Sequence, residues 1–404
     1  GFNFIGAIFW SSVADHTGRN KVILVGCTAS YAILMFALNL RFGSHLDGVT
    51  AKILYTAGCF GLAQFMGSAL FPLVDHQVIS LLTEDPALSK DTFGQQRLWG
   101  TFAHMGTTLL ANQANKWYLQ VRGDSPKLRA LLGDYLGMFL ILILSSILFI
   151  TTVIIGIPNK KPAQIIHPDE EESKDVKKIE MKQQQIETVK NPTFKLLKIP
   201  AFLFFLSFVM VSGIIRAAMS FFQTYFIIAI HEGKQQGKDQ AAFIALPRIL
   251  SEVGVYYFGK QLLHWFGPHL MLVTSQATGI LRMLGYALMP TSGVGSWIVP
   301  YFLELLKGLN SGLFSSSAVR LANDMSPNAC GNTAQGLVAG TYSGLSMSLG
   351  GIIGGTIVGF FPSTLEGERH GIQTMFFILS GSGAVFLVAF ILKYWLVDGV
   401  LFRR

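Results

Sequence analysis

The sequence predicts an all-α polytopic membrane protein built from two helical halves. Three observations carry that expectation. Apolar runs long enough to cross a bilayer follow one another along most of the chain. Only 13% of the 404 residues are charged, against about a quarter in ordinary soluble chains, and mean hydropathy is +0.47. One polar stretch, 158–195, interrupts the series and divides it.

Residues Gly1 to about Ala14 form an apolar run shorter than the roughly 20 residues a spanning helix takes. With no initiator Met and no basic leader ahead of a cleavage site, the chain reads as starting partway through a helix whose upstream part is missing. Complete spans are expected at 22–41, 52–82, 97–116 and 131–157, then at 200–230, 240–263, 269–290, 296–321, 333–361 and 372–398. An open sheet cannot satisfy its backbone in lipid, so these runs are helices. The short alternating strands of an outer-membrane barrel are absent from the pattern. The 42 Gly agree, because small residues let helices approach closely in a membrane.

The stretch Pro158-Asn-Lys-Lys-Pro … Asp169-Glu-Glu-Glu … Lys177-Lys178 is charged in both signs and nearly free of aromatics. It cannot bury enough apolar surface to fold alone and reads as a solvated linker. The domains are therefore 1–157, an N-terminal transmembrane half; 158–195, the linker; and 196–404, a C-terminal transmembrane half. Arg19, Lys21, Lys90, the linker lysines, Lys260 and Arg403-Arg404 fall on one side of the membrane, which the positive-inside rule makes cytosolic. Arg41, Arg122, Lys127, Arg129, Lys234 and Arg369 lie opposite, so the bias is modest.

Several function classes drop out. The net charge of +8 sits in loops rather than on one basic face, which argues against nucleic acid. Cys27, Cys59 and Cys330 are far apart and odd in number, so neither a disulfide framework nor a metal site is expected. No His-x-x-x-His with Glu, nucleophile elbow or phosphate loop occurs, and the linker is too short for a nucleotide domain. No enzyme activity and no cofactor are expected.

Ionisable residues inside apolar runs remain to be explained. A charge at the centre of a spanning helix costs roughly 2.5–3.5 kcal/mol on insertion scales, so such residues pair or line a wet cavity. Asp75 and Arg97 flank one short loop. Arg216, Arg248, Glu252, Arg282, Glu304 and Lys307 lie in later runs. Arg248 and Glu252 could be a simple i,i+4 pair, or Glu252 could be a cavity carboxylate that burial helps to take up a proton. His104 lies seven residues beyond Arg97, on a similar helix face. Trp99 reads as a packing or interface residue.

The loop Asp15-x-x-Gly18-Arg19-x-Lys21 resembles the signature between the second and third helices of the major facilitator superfamily. Ser11 and His16 stand where that family usually has Gly and a basic residue. Pro72-Leu-Val-Asp75, Phe93-Gly94-x-x-Arg97-Leu-Trp-Gly100, Glu252 before Gly259 … Gly267, Arg282, Glu304-Leu-Leu-Lys307-Gly-Leu-Asn310 and Thr333-Ala-Gln335-Gly336 … Gly354-Gly355 are similar to the branch holding lactose permease and the nucleoside–proton symporters. The resemblance implies a major facilitator fold with two pseudo-symmetric six-helix halves, the N-terminal one incomplete here. It implies a secondary transporter of a small polar solute, a sugar or oligosaccharide first and a nucleoside next, coupled to protons or acting as an uncoupled facilitator.

By that resemblance Asp75, Arg97, His104, Arg282, Glu304, Lys307 and Asn310 bind substrate. Glu252, Glu304 or Asp75 carries the proton. Asp15, Gly18, Arg19 and Lys21 gate the cytosolic side through charges that pair in one state only. His104 replaces the Trp that stacks on sugar in lactose permease. Asn310 and Leu313 stand where that branch has titratable side chains. A monomer in the lipid bilayer of the plasma membrane is expected. A receptor or scaffold that kept the fold is the rival class, and a channel is the third.

Overall fold

The computed structural model describes residues 1–39, 48–84, 90–123, 135–157, 192–231, 237, 240, 243–327 and 330–401. Most of the linker, and with it the loop charges Arg41, Lys127, Arg129, Lys234 and Arg403-Arg404, lies outside them.

The described chain is helical and has no strand. The N-terminal half runs α1 (Phe2–Thr17), α2 (Asn20–Asn39), α3 (Val49–Gly67), α4 (Leu70–Glu84), α5 (Phe93–Arg122) and α6 (Leu136–Gly156). A short α7 (Pro192–Leu197) precedes the C-terminal half: α8 (Pro200–Ile230), α9 (Ala245–Tyr257), α10 (Gly259–Ala287), α11 (Gly293–Asp324), α12 (Gly331–Gly340), α13 (Ser346–Gly359) and α14 (Leu365–Leu392). Six stretches among the described residues are long and apolar enough to cross a membrane: Asn20–Asn39, Val49–Thr83, Leu136–Gly156, Pro200–Ile230, Gly331–Gly359 and Leu365–Val397. The long α5 falls outside that group because it carries Arg97, His104, Asn112, Gln113, Asn115 and Lys116.

Where the helices depart from the expected spans, local chemistry explains the departure. The expected run 52–82 is broken between α3 and α4. Pro72 has no N–H to give the carbonyl of Ser68, and its ring crowds that carbonyl, so the helix breaks just ahead of it. The expected start at 269 moves to Gly259, with a kink at Gly267 (φ 69°) ahead of Pro268. Gly18 (φ 64°, ψ 10°) turns the chain between α1 and α2 as a left-handed helix cap, whereas Gly267 combines its positive φ with an extended ψ of 164°. The run 333–361 contains a π turn at Thr341–Leu345 between α12 and α13.

The C-terminal half holds the larger core. Phe202, Phe205 and Phe208 of α8 are fully buried, and Phe208 meets Phe390 of α14 edge-on at 4.5 Å. In the N-terminal half a smaller cluster joins Ala14, Leu24, Ala69, Leu73 and Val153. The halves meet through α1 against α12 and α5 against α9.

Candidate functional site

Between the halves lies a cavity of about 610 Å³. The N-terminal half lines it with Asp75 of α4 and Arg97 and His104 of α5. The C-terminal half contributes Arg216 of α8, Arg248, Glu252 and Tyr256 of α9, Arg282 of α10, and Lys307 and Asn310 of α11. The spacing explains much of this. Arg97 and His104 are two turns apart on one helix, and Arg248, Glu252 and Tyr256 follow one another at intervals of four.

Asp75 reaches the cavity because the break before Pro72 re-aims α4. Nη2 of Arg97 donates to both its carboxylate oxygens, at 2.8 and 3.1 Å. One nitrogen thus serves two oxygens, and the parallel two-nitrogen fork is not used. Arg97 lies over the Phe93 ring at 5.7 Å and has Tyr256 of the opposite half as a further polar neighbour. The pair is partly open, with side chains 25% and 12% exposed for Arg97 and Asp75.

The second ion cluster is closed. Nε and Nη2 of Arg282 both donate to Oε1 of Glu304, at 3.1 and 2.6 Å. Gln223 Nε2 donates to the same oxygen at 2.9 Å and Tyr286 Oη at 3.4 Å. Arg282 also donates to the Gln223 amide oxygen. Lys307 Nζ stands 3.7 Å from Glu304 Oε2. The Glu304 side chain is 2% exposed, so it sits behind the cavity wall formed by Arg282 and Lys307. Gln223 and Tyr286 were not singled out from sequence; a neutral amide and a phenol in apolar helices give no charge signal.

Asn310 stitches α11 to α10. Its Nδ2 donates to the Ser275 carbonyl at 2.6 Å, and the Ser275 hydroxyl donates back to the Asn310 carbonyl at 2.8 Å. Glu252 faces the cavity and forms no ion pair with Arg248; neither side chain has a hydrogen bond among the described residues. Trp99 is exposed, as an interface residue would be.

The four residues expected to gate do not act as one group. Asp15 Oδ1 accepts from Asn332 N at 3.1 Å and Asn332 Nδ2 at 2.8 Å; Oδ2 accepts from Thr333 N at 2.7 Å and Thr333 Oγ1 at 2.6 Å. These are the first N–H groups of α12, which no residue of its own segment caps by side chain. A carboxylate from one half therefore caps a helix of the other, satisfying donors that the helix cannot. Gly18 supplies the turn. Arg19 is exposed, and Lys21 donates to the Ile154 and Ile157 carbonyls at 2.7 and 3.1 Å, closing the C-terminus of α6 within its own half. In this structure the partner of Asp15 in the other half is thus a helix N-terminus and not a charged side chain. Beside it, Asp91 pairs with Arg320 across the halves, and Arg320 also holds Asp324 at 2.7 Å.

Close packing supports this closed end. Ser11 is fully buried, and a Cβ on Gly336 would come within 2.4 Å of its Oγ and 2.7 Å of the Ala7 carbonyl. The glycine that the superfamily usually places at position 11 has its counterpart across the contact. The three cysteines are free, and no group of metal-ligating side chains occurs among the described residues.

Comparison with known proteins places the fold. The structure is similar to the nucleoside transporter NupG (TM-score 0.60, 17% identity, covering 96% of this chain and 87% of that one). It is similar to the proton:xylose symporter XylE (0.60, 12%, 98% and 84%) and to the E. coli fucose:proton symporter FucP (0.56, 13%, 96% and 88%). No curated protein sequence matches the chain. The family model described as MFS_1 like matches residues 2–364. The chain belongs to that family, is an integral multi-pass membrane protein with the all-α major facilitator fold, and shares its fold with transporters rather than enzymes.

Proposed function

We propose that the protein moves a small polar organic solute across a membrane by alternating access, with the cavity between the halves as the binding site. The observation that carries this reading is the cavity itself: one chamber collects Asp75, Arg97 and His104 from one half and Glu252, Arg282, Lys307 and Asn310 from the other. A static scaffold would gain by losing those charges from its helices. Sites at the interface of two structural repeats are the rule in transporters of this architecture.

A sugar or sugar derivative is the first cargo class. The partly open Asp75–Arg97 pair offers both acceptors and donors to hydroxyl groups, and XylE and FucP are sugar–proton symporters by their names. A nucleoside is the second, on the likeness to NupG. Glu252 is the preferred proton carrier, because it faces the cavity without a hydrogen-bond partner among the described residues, whereas Glu304 is held by four other side chains. The Asp15–α12 cap and the Asp91–Arg320 pair hold the halves together at one end, which the loop charges make cytosolic. Alternating access then opens that end by releasing them.

Uptake of sugars and nucleosides into vesicles carrying the purified protein tests the reading, with and without a pH gradient. Saturable counterflow that is lost in Asp75→Asn is the expected result. If nothing moves in either condition while the protein is folded, neutral sugars and nucleosides are excluded as cargo. If uptake ignores the pH gradient, the protein is an uncoupled facilitator and Glu252 has no proton role.

A further inference from the structure

The charges of the cavity do not balance. Arg97, Arg216, Arg248, Arg282 and Lys307 line it, against Asp75 and Glu252, with Glu304 behind the wall. Asp75 is engaged by Arg97, and Glu304 by Arg282. Glu252 alone remains for Arg216, Arg248 and Lys307, leaving a surplus of two positive charges among the described residues.

These three cations are built in, not stray. Arg216 lays its guanidinium over the Tyr342 ring at 4.4 Å, and Tyr342 in turn stacks on Phe314 at 4.0 Å with 14° between the planes. This fixes the flat face of the guanidinium and leaves its donor edge uncommitted. The Nε atoms of Arg216 and of Arg248 are both buried without an acceptor. Lys307 has only the 3.7 Å contact to Glu304 and lies in the positive field of Arg282, Arg248 and Arg216. Half-buried cations without counter-charge carry a desolvation cost, and in a membrane helix such residues persist where they face a functional partner.

Resting on the transport reading above, we propose that Arg216, Arg248 and Lys307 form a subsite for the anionic group of a hydroxylated organic solute, a carboxylate or a phosphate ester. The solute supplies the missing counter-charge, and each guanidinium edge presents two donors to a pair of oxygens. Across the cavity, Asp75 and Arg97 take the hydroxyl groups. The carboxylate of Asp75 disfavours a second anionic group at that end, so the cargo is polar at one end and anionic at the other. A sugar acid or a polyol phosphate has this chemistry; a neutral sugar or a nucleoside lacks it.

The experiment compares four solutes in vesicles containing the full chain: glucuronate, glycerol phosphate, glucose and uridine. Saturable counterflow of glucuronate or glycerol phosphate, at least about tenfold above glucose and uridine, is expected, and the two anions separate the carboxylate from the phosphate source. Arg216→Gln and Arg248→Gln each reduce affinity for that anion roughly ten- to a hundredfold, the range for losing a hydrogen-bonded charge. Arg248→Lys recovers part of the loss. Counterflow of glucose or uridine in preference to both anions overturns the subsite and leaves transport standing. If none of the four moves, the transport reading fails, and the anion site is then decided by thermal denaturation of the purified protein. Protection by either anion that disappears in Arg216→Gln or Arg248→Gln upholds the site, and equal melting with and without the anions overturns it.

Discussion

The two halves each present an arginine–carboxylate pair, and the pairs differ in kind. Asp75–Arg97 is partly open to the cavity and joined through one nitrogen. Arg282–Glu304 is closed, with Gln223, Tyr286 and Lys307 on the same carboxylate. An ion pair with spare hydrogen-bonding capacity and access to a cavity can exchange partners. One with four donors on a single oxygen and its charges buried holds helices in place, because separating it leaves a bare charge in a dry interior. The chemistry of the two pairs is alike; the difference in setting assigns them different work.

That contrast can be broken by experiment. The largest effect is expected from Glu304→Ala, which strands Arg282 and Lys307 and should cost about 3–5 kcal/mol. Loss of a monodisperse peak in detergent, or a melting temperature many degrees lower, is the expected readout. A variant that melts like the parent would show that the closed cluster is not structural. Next comes Asp75→Asn, expected to leave melting nearly unchanged while weakening solute binding by about 1.5–3 kcal/mol, or roughly ten- to a hundredfold. The contrast collapses if this variant instead misfolds as Glu304→Ala does.

A smaller change is expected from Asp15→Asn. The amide keeps one acceptor for α12 but loses the charge that favours a helix N-terminus, a loss of about 0.5–2 kcal/mol. Its readout is accessibility: a cysteine-labelling reagent applied from the Asp15 side should reach the cavity faster than in the parent. Unchanged labelling would remove Asp15 from the gate. Lys21→Ala should have the smallest effect, under about 1 kcal/mol, because it frees two carbonyls at the end of α6 within one half. A change in cavity accessibility for this variant would return Lys21 to the gate.

Much of the fold was readable from periodicity and hydropathy, since spanning helices must be long and apolar. The breaks were less so. Pro72 and Gly267 are visible in the sequence, yet whether such a residue ends a helix or kinks it depends on its neighbours. In the site, residues carrying charge announced themselves, and helical spacing put Arg97 and His104 on one wall. Two things stayed hidden. Glu304 shares the Lys307 side of α11 by spacing, but its depth behind the wall depends on Gln223 and Tyr286 from other helices. Two of the four donors to Asp15 are backbone N–H groups, and backbone donors have no signature in the sequence.

The Gly336 contact at the closed end is one of a series of close approaches. Gly336, Gly340 and Gly344 each press on α1, against Ser11, Ala7 and Phe4, while Gly350 presses on α8 of its own half at Ala217. A single helical strip thus packs on its own half along one side and on the opposite half along the other. The three inter-half glycines set a distance of closest approach, so side-chain volume there acts as a dial. Stepping Gly336 to Ala and then Val should lift the population of the opened end in graded increments, without touching a charge or a cargo contact.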